Sequence, residues 1–190
     1  MSKVVIVYHS GSGHTARLAQ AVARGAQSVS GTQALLVSVA DVEKHWADLD
    51  AADAIVFGAP TYMGSASAQF KAFADATAKR WFTLAWKDKL AAGFSNSGSP
   101  AGDKLSTLQE LAVLAAQHGM LWVGLGLHPM VPSQKHPGQL VNRAGAFLGA
   151  TAQSPHGAPD AEAPPPVDLE TGELLGARVA QAAARWVRGK

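Results

Sequence analysis

A strand-like run that ends in a glycine- and serine-rich loop and passes straight into a helical pattern constrains this chain more than any other feature. Val4-Val5-Ile6-Val7-Tyr8 is continuously apolar and rich in β-branched residues, the pattern of a strand covered on both faces in a parallel sheet. After the loop, Ala16, Leu18, Ala19, Val22, Ala23 and Ala26 recur at helical spacing, while Arg17, Gln20, Arg24 and Gln27 fall on other faces. The same grammar continues. Strand-like runs over 34–39, 54–58, 90–94 and 120–124 alternate with helical patterns over 66–79 and 104–117, and a last helix is expected over 171–187. Parallel neighbours need crossover connections, and helices of this length supply them. The alternation therefore predicts an α/β fold: a doubly wound, five-stranded parallel sheet with helices on both faces. Ligands then belong at the C-terminal ends of the strands.

Composition narrows the chemistry. The 190 residues suit a single domain over 1–190. With 47% hydrophobic and 16% charged residues the chain has the material for a core. The absence of cysteine removes disulfides, thiolate catalysis, iron–sulfur clusters and cysteine zinc sites. The seven histidines show no ligand pair at helical spacing, so no metal site is expected. A net charge of +2 is too small for a nucleic-acid platform. The longest apolar stretch, 111–127, is broken by Gln117, His118 and glycines, so no membrane span is expected. Met1 to Tyr8 has no signal-peptide pattern, which predicts a cytoplasmic location. The segment 127–166 holds eight of the ten prolines and reads as a long loop excursion. From Ala144 to Gly176 the chain carries Asp160, Glu162, Asp168, Glu170 and Glu173 without a Lys or Arg, which places an acidic loop next to the expected site.

Three loops following expected strands carry the candidate chemistry. Ser10-Gly11-Ser12-Gly13-His14-Thr15 fits two descriptions. As Gly11-x-Gly13-x-x-Ala16 it matches the dinucleotide fingerprint, in which glycines admit a pyrophosphate above a helix N-terminus, with Asp41 about where a ribose-binding acid sits. As Ser10-x-Ser12-Gly13-x-Thr15 it is a hydroxyl-rich cradle that surrounds a monophosphate without a cation. The same residues also suit an ordinary turn and helix cap. In the second loop, Pro60, Thr61, Tyr62, Met63 and Gly64 offer close backbone approach and a soft, flat surface for an aromatic ring. In the third, Ser95, Asn96, Ser97, Gly98, Ser99 and Gly102 form a small, polar run suited to hydrogen-bonding a heterocycle.

Taken in order, Ser10 to Thr15, Gly58-Ala59-Pro60-Thr61-Tyr62-Met63-Gly64, Ser95-Asn96-Ser97-Gly98 and Gln117-His118-Gly119-Met120 resemble the flavodoxin-like NAD(P)H:quinone oxidoreductases of the tryptophan-repressor-binding-protein type. Gly149-Ala150-Thr151 resembles that family's loop after the fifth strand. The resemblance implies a flavodoxin-like sheet of order 2-1-3-4-5 binding FMN, with the phosphate on Ser10 to Thr15. It also implies that Pro60 to Gly64 and Asn96 to Gly102 flank the isoalloxazine. His118 matches a histidine that reaches over the flavin and would bond an acceptor oxygen. Trp81 matches a tryptophan that borders the substrate site across a subunit contact, which implies a homodimer or homotetramer. The implied reaction carries hydride from NADH or NADPH to the flavin and on to a quinone or similar flat acceptor. Ser12 departs from the pattern, standing where the family usually has an aromatic that holds the nicotinamide nucleotide. The family's long insertion after the second strand is missing, and Ala101-Gly102-Asp103 replaces a Gly-Gly-Glu-like run. Two other readings share the loops: a flavodoxin-type FMN electron carrier without its own NAD(P)H site, and a nicotinamide-only Rossmann protein.

Overall fold

The computed structural model describes residues 1–159 and 162–189. Asp160, one of the acids counted above, lies outside them. β1 (Ser2–Tyr8) leads into α1 (His14–Gln27), β2 (Thr32–Ser38), a 3-10 turn over Val39–Lys44 and the five-residue α2 (Trp46–Asp50). β3 (Ala54–Tyr62) folds back through the two-residue β4 (Ser65–Ala66) into α3 (Ala68–Ala76) and α4 (Ala78–Phe82). β5 (Leu90–Ser97), α5 (Lys104–Gln117), β6 (Leu121–Trp122), β7 (Ala150–Gln153) and α6 (Pro166–Arg188) follow.

The strands β2, β1, β3 and β5 lie side by side in that order, all parallel. Beside β5, the outer position is shared: β6 pairs with Leu90 and Ala91, and β7 pairs with Phe94 to Ser97. The expected 2-1-3-4-5 order is realised, with its fifth strand broken into two pieces; these and the short antiparallel β4 on β3 bring the sheet to seven strands. Consecutive residues of β1 face opposite layers, and both layers are dry. Val4 and Ile6 pack under α1 and α6 with Leu18, Val22, Leu175 and Val179. Val5 and Val7 face α3 and α5, in a cluster with Phe57, Phe70, Phe73, Trp86, Leu108 and Leu111.

The break in the fifth strand corrects two expectations. Gly149-Ala150-Thr151 is not a loop after that strand: Ala150 and Thr151 open its second half. Gly149 makes the return possible, because a Cβ there would stand 2.1 Å from the Gly93 carbonyl oxygen of β5. The excursion therefore runs inside the strand, and Trp122 Nε1 donates to the Leu148 carbonyl at 2.9 Å to tie its ends together. The last helix also starts five residues earlier than its apolar pattern suggests, on Pro166, whose missing N–H costs nothing in a first turn. Asp168 and Glu170 thus join Glu173 as helix residues rather than members of an acidic loop, and all three pin the excursion. Arg143 clasps Asp168 through Nε and Nη2 at 2.7 and 2.9 Å, Ser133 and the Gln134 N–H donate to Glu170, and Lys135 pairs with Glu173.

Candidate functional site

A cavity of about 570 Å³ opens at the C-terminal edge of the sheet, within the size range of small-molecule and cofactor sites. Its walls are Ser12, His14 and Thr15 from the loop after β1, Pro60 to Met63 from the end of β3, and Asn96, Ser97 and Gly98 from the end of β5. The three loops singled out in the sequence therefore converge on one space. A fourth wall, Ser154 to Ala158 after β7, was not expected. Its signal is the short apolar run Ala150-Thr151-Ala152 stopped by Ser-Pro-His-Gly, which is legible only once the fifth strand is known to resume.

The geometry of the first loop suits an anion. Gly13, left-handed at φ 84°, stands at the N-cap of the 14-residue α1 without a side-chain cap, and the first turn carries no acid. Ser10 Oγ accepts from the Ala16 N–H at 3.1 Å, so this hydroxyl shapes the loop from inside and does not line the cavity. Thr15 is buried at the cavity wall. A helix N-terminus with hydroxyls beside it favours a phosphate. No Asp, Glu, Lys or Arg occurs among the described lining residues, so charge neither repels nor pairs with the anion there. Gly11 leaves room for the Tyr62 side chain: a Cβ at this position would lie 2.5 Å from the Tyr62 hydroxyl, which would have to shift. His9, just before the loop, bonds through Nδ1 to Ser67 Oγ at 2.8 Å and ties the cradle to the start of α3; burial lowers its pKa.

The remaining walls divide into exposed surface and buried support. Tyr62 and Met63 are exposed, Met63 fully, in the left-handed region at φ 49°. Gly64 continues the same turn at φ 80°. Thr61 and Ser95 are buried and share hydroxyl bonds at 2.8 Å, Thr61 also reaching Thr107 at 2.8 Å, so Ser95 holds the edge together behind the site. Asn96 accepts from Ser154 Oγ at 3.0 Å, joining the third and fourth loops. The His156 ring packs on Gly98, within 3.2 Å of where a Cβ would be. Ser99 and Gly102 sit behind the loop, Ser99 with its carbonyl on Lys104 and Gly102 at φ 52° against Ser97.

The structure does not bring His118 or Trp81 to this edge. α5 leaves the C-terminal end of β5 and runs back, so its C-cap His118 lies at the opposite end of the sheet, where the following Gly119 carbonyl accepts from the Asp88 N–H at 3.0 Å just ahead of β5. His118 is 1% exposed, bonds through Nε2 to Thr77 Oγ1 at 2.8 Å and lies 4.6 Å from the Trp86 ring; burial lowers its pKa. Its place within this chain is structural. Trp81, in α4 on the same end, is 42% exposed beside Phe82 at 79%. Asp41 pairs with Lys44 at the surface at 3.0 Å and lines no part of the cavity, which removes the acid from the dinucleotide reading.

A flavin mononucleotide fits what is present. The hydroxyl cradle and helix N-terminus match a monophosphate, the carboxylate-free walls accept its charge, and Tyr62, Met63, Pro155 and Gly98 offer flat surface to a ring. Residues 2–135 match the family model described as NADPH-dependent FMN reductase. Flavodoxin FldP of Pseudomonas aeruginosa (strain UCBPP-PA14) is 50% identical over 185 residues, covering 95% of this chain and 96% of the relative. An NAD(P)H dehydrogenase (quinone) of Archaeoglobus fulgidus is 30% identical, over 97% of this chain and 99% of the relative. The crystal structure of a flavodoxin, WrbA-like protein from Agrobacterium tumefaciens superposes with a TM-score of 0.77 at 46% identity, covering 97% of this chain and 99% of that one. With the sheet order, the cradle and these likenesses in agreement, the chain belongs to the flavodoxin-like FMN reductase family, in the branch of the tryptophan-repressor-binding-protein type.

Proposed function

We propose that the protein is an FMN-dependent oxidoreductase that takes two electrons from NADH or NADPH and delivers them to a quinone or similar flat acceptor, the two substrates using one site in turn. The observation that carries this reading is the pairing of a hydroxyl phosphate cradle with an open, exposed surface at Tyr62 and Met63 on the same cavity. Ser12, Thr15 and the N-terminal turn of α1 hold the phosphate; Pro60 to Gly64 and Asn96 to Gly98 border the ring; His14, Tyr62 and His156 are the ionisable side chains on the described wall. Bound there, FMN supplies hydride acceptance and two-electron delivery, so that NAD(P)H, a proton and quinone become NAD(P)⁺ and hydroquinone. The chain's contribution is position. With Ser12 in place of the family's aromatic, stacking surface for both substrates falls to Tyr62 and Met63.

The exposed Trp81, Phe82 and Leu84 on the far end form an apolar surface that a second copy would cover, and only another copy's site could use Trp81. We place the protein in the cytoplasm as a homodimer or homotetramer. Among the described residues no helix is long and apolar enough to cross a membrane.

Anaerobic mixing of NADH or NADPH with FMN-loaded protein tests the reading. Bleaching near 450 nm, roughly the flavin band, is expected, followed by recovery when a quinone is added. The relative at 50% identity is named a flavodoxin, which favours an electron carrier as the second reading. No bleaching with either nucleotide would select the carrier.

A further inference from the structure

Lys104 opens α5 and is 3% exposed, an unusual place for an ammonium. Its Nζ donates to Ser97 Oγ at 3.0 Å and to the Ser99 and Pro100 carbonyls at 2.9 Å each. Ser97 Oγ itself donates to the Ser99 carbonyl at 3.3 Å, so towards Lys104 it acts as acceptor. The three contacts thus use all three ammonium protons, and each acceptor is a neutral oxygen. The carboxylate that acts on Lys104 electrostatically, Asp168, is engaged by Arg143 at 2.7 and 2.9 Å and by the Gln153 N–H at 2.9 Å. Burial lowers the lysine pKa, and the Asp168 charge opposes that shift. A positive charge is therefore held behind the loop whose Ser97 and Gly98 face the cavity.

We propose that Lys104 is a positioning residue of the flavin site: it ties Ser97 to Pro100 into the shape that borders the ring, and its charge, one loop removed, favours the reduced cofactor over the oxidised one. The inference rests on the flavin reading but not on the identity of donor or acceptor. Reduction adds negative charge to the ring, and protein charge near it tunes its electronics.

The experiment is FMN titration of apo-protein by fluorescence quenching, together with the two-electron midpoint potential, in wild type, Lys104→Met and Lys104→Arg. Removing charge-assisted hydrogen bonds should weaken oxidised FMN about tenfold in Lys104→Met. For a ring taken at about 10 Å and an effective dielectric of about 20, a unit charge would be worth roughly another tenfold for reduced FMN alone. That difference lowers the two-electron potential by about 30 mV. Lys104→Arg should restore the potential while keeping part of the affinity loss. An unchanged potential in Lys104→Met refutes the electrostatic role, and unchanged FMN affinity refutes the loop role. Should Lys104→Met not fold, Ser97→Ala keeps the charge but removes one anchor. It should weaken FMN with the potential unmoved, and a potential shift there as large as the affinity loss refutes the separation of the two effects. Wild-type apo-protein that takes up no FMN refutes the flavin reading itself, an outcome distinct from all of these.

Discussion

Asp168→Ala probes the joint on which the broken fifth strand depends. The Asp168 side chain is 4% exposed and accepts three hydrogen bonds, two from Arg143 in the excursion and one from the Gln153 N–H of β7. Truncation leaves the Gln153 N–H without its acceptor, which costs about 1–2 kcal/mol. Arg143 is 40% exposed and can turn to water, so its lost pairing adds only about 1 kcal/mol, less than the roughly 3–5 kcal/mol for breaking a fully buried pair. The expected total is about 2–3 kcal/mol, or a fall in Tm of about 4–12 °C for a chain of this size. Urea unfolding should show a lower midpoint with an unchanged slope. A double-mutant cycle with Arg143→Ala should return a coupling of about 1 kcal/mol. Because β7 delivers Ser154 to Ala158 to the cavity and Gln153 Nε2 reaches the Gly98 carbonyl at 3.3 Å, FMN affinity should also drop several-fold well below the melting transition. A stability loss under about 0.5 kcal/mol, or no coupling to Arg143, would show that solvent screens the joint and that the excursion is held elsewhere.

Three further outcomes follow from the same contacts. Gly11→Ala puts a methyl against the Tyr62 hydroxyl and should weaken FMN about tenfold with little change in Tm; on a Tyr62→Phe background, where the hydroxyl is gone, the same change should add almost nothing, and an undiminished effect would place the clash elsewhere. His118→Ala removes a buried ring from Thr77 and Trp86 and should cost about 2–3 kcal/mol with FMN affinity intact; a fall in quinone turnover at unchanged stability would return His118 to catalysis, in a neighbouring copy's site. Burial holds the His118 and His9 pKa values below that of the unfolded chain, so as pH falls through about 6.5 the unfolded state binds protons first. Stability should be full above that pH and decline below it. His118→Gln should flatten the decline, leaving the share of His9, and an unchanged slope refutes the assignment.

The alternation of strand and helix, and with it the site's location, was legible because the central strands are buried on both faces and declare themselves as apolar runs without help from their neighbours. α5 matches its sequence pattern over 104–117, Lys to Gln, for the same reason of strong local periodicity. β7 was hidden. Four residues carry no periodic signal, and the strand exists because β5 already offers a partner and Gly149 permits the approach. The fourth wall of the cavity, Ser154 to Ala158, was hidden with it.

The sequence by itself determined the layer architecture and three of the four cavity walls, since hydrophobic period and turn chemistry are local properties of the chain. Only the tertiary structure decided which polar residues face the cavity and which build it. Ser10, Ser95 and Lys104 turn inward to hold loops. His118 is carried to the far end because α5 must run antiparallel to the strand it follows. The reason is physical: a buried polar group goes where its hydrogen bonds are met, and the partners of Ser95 and His118 stand 34 and 41 positions away in the chain, separations no local pattern encodes.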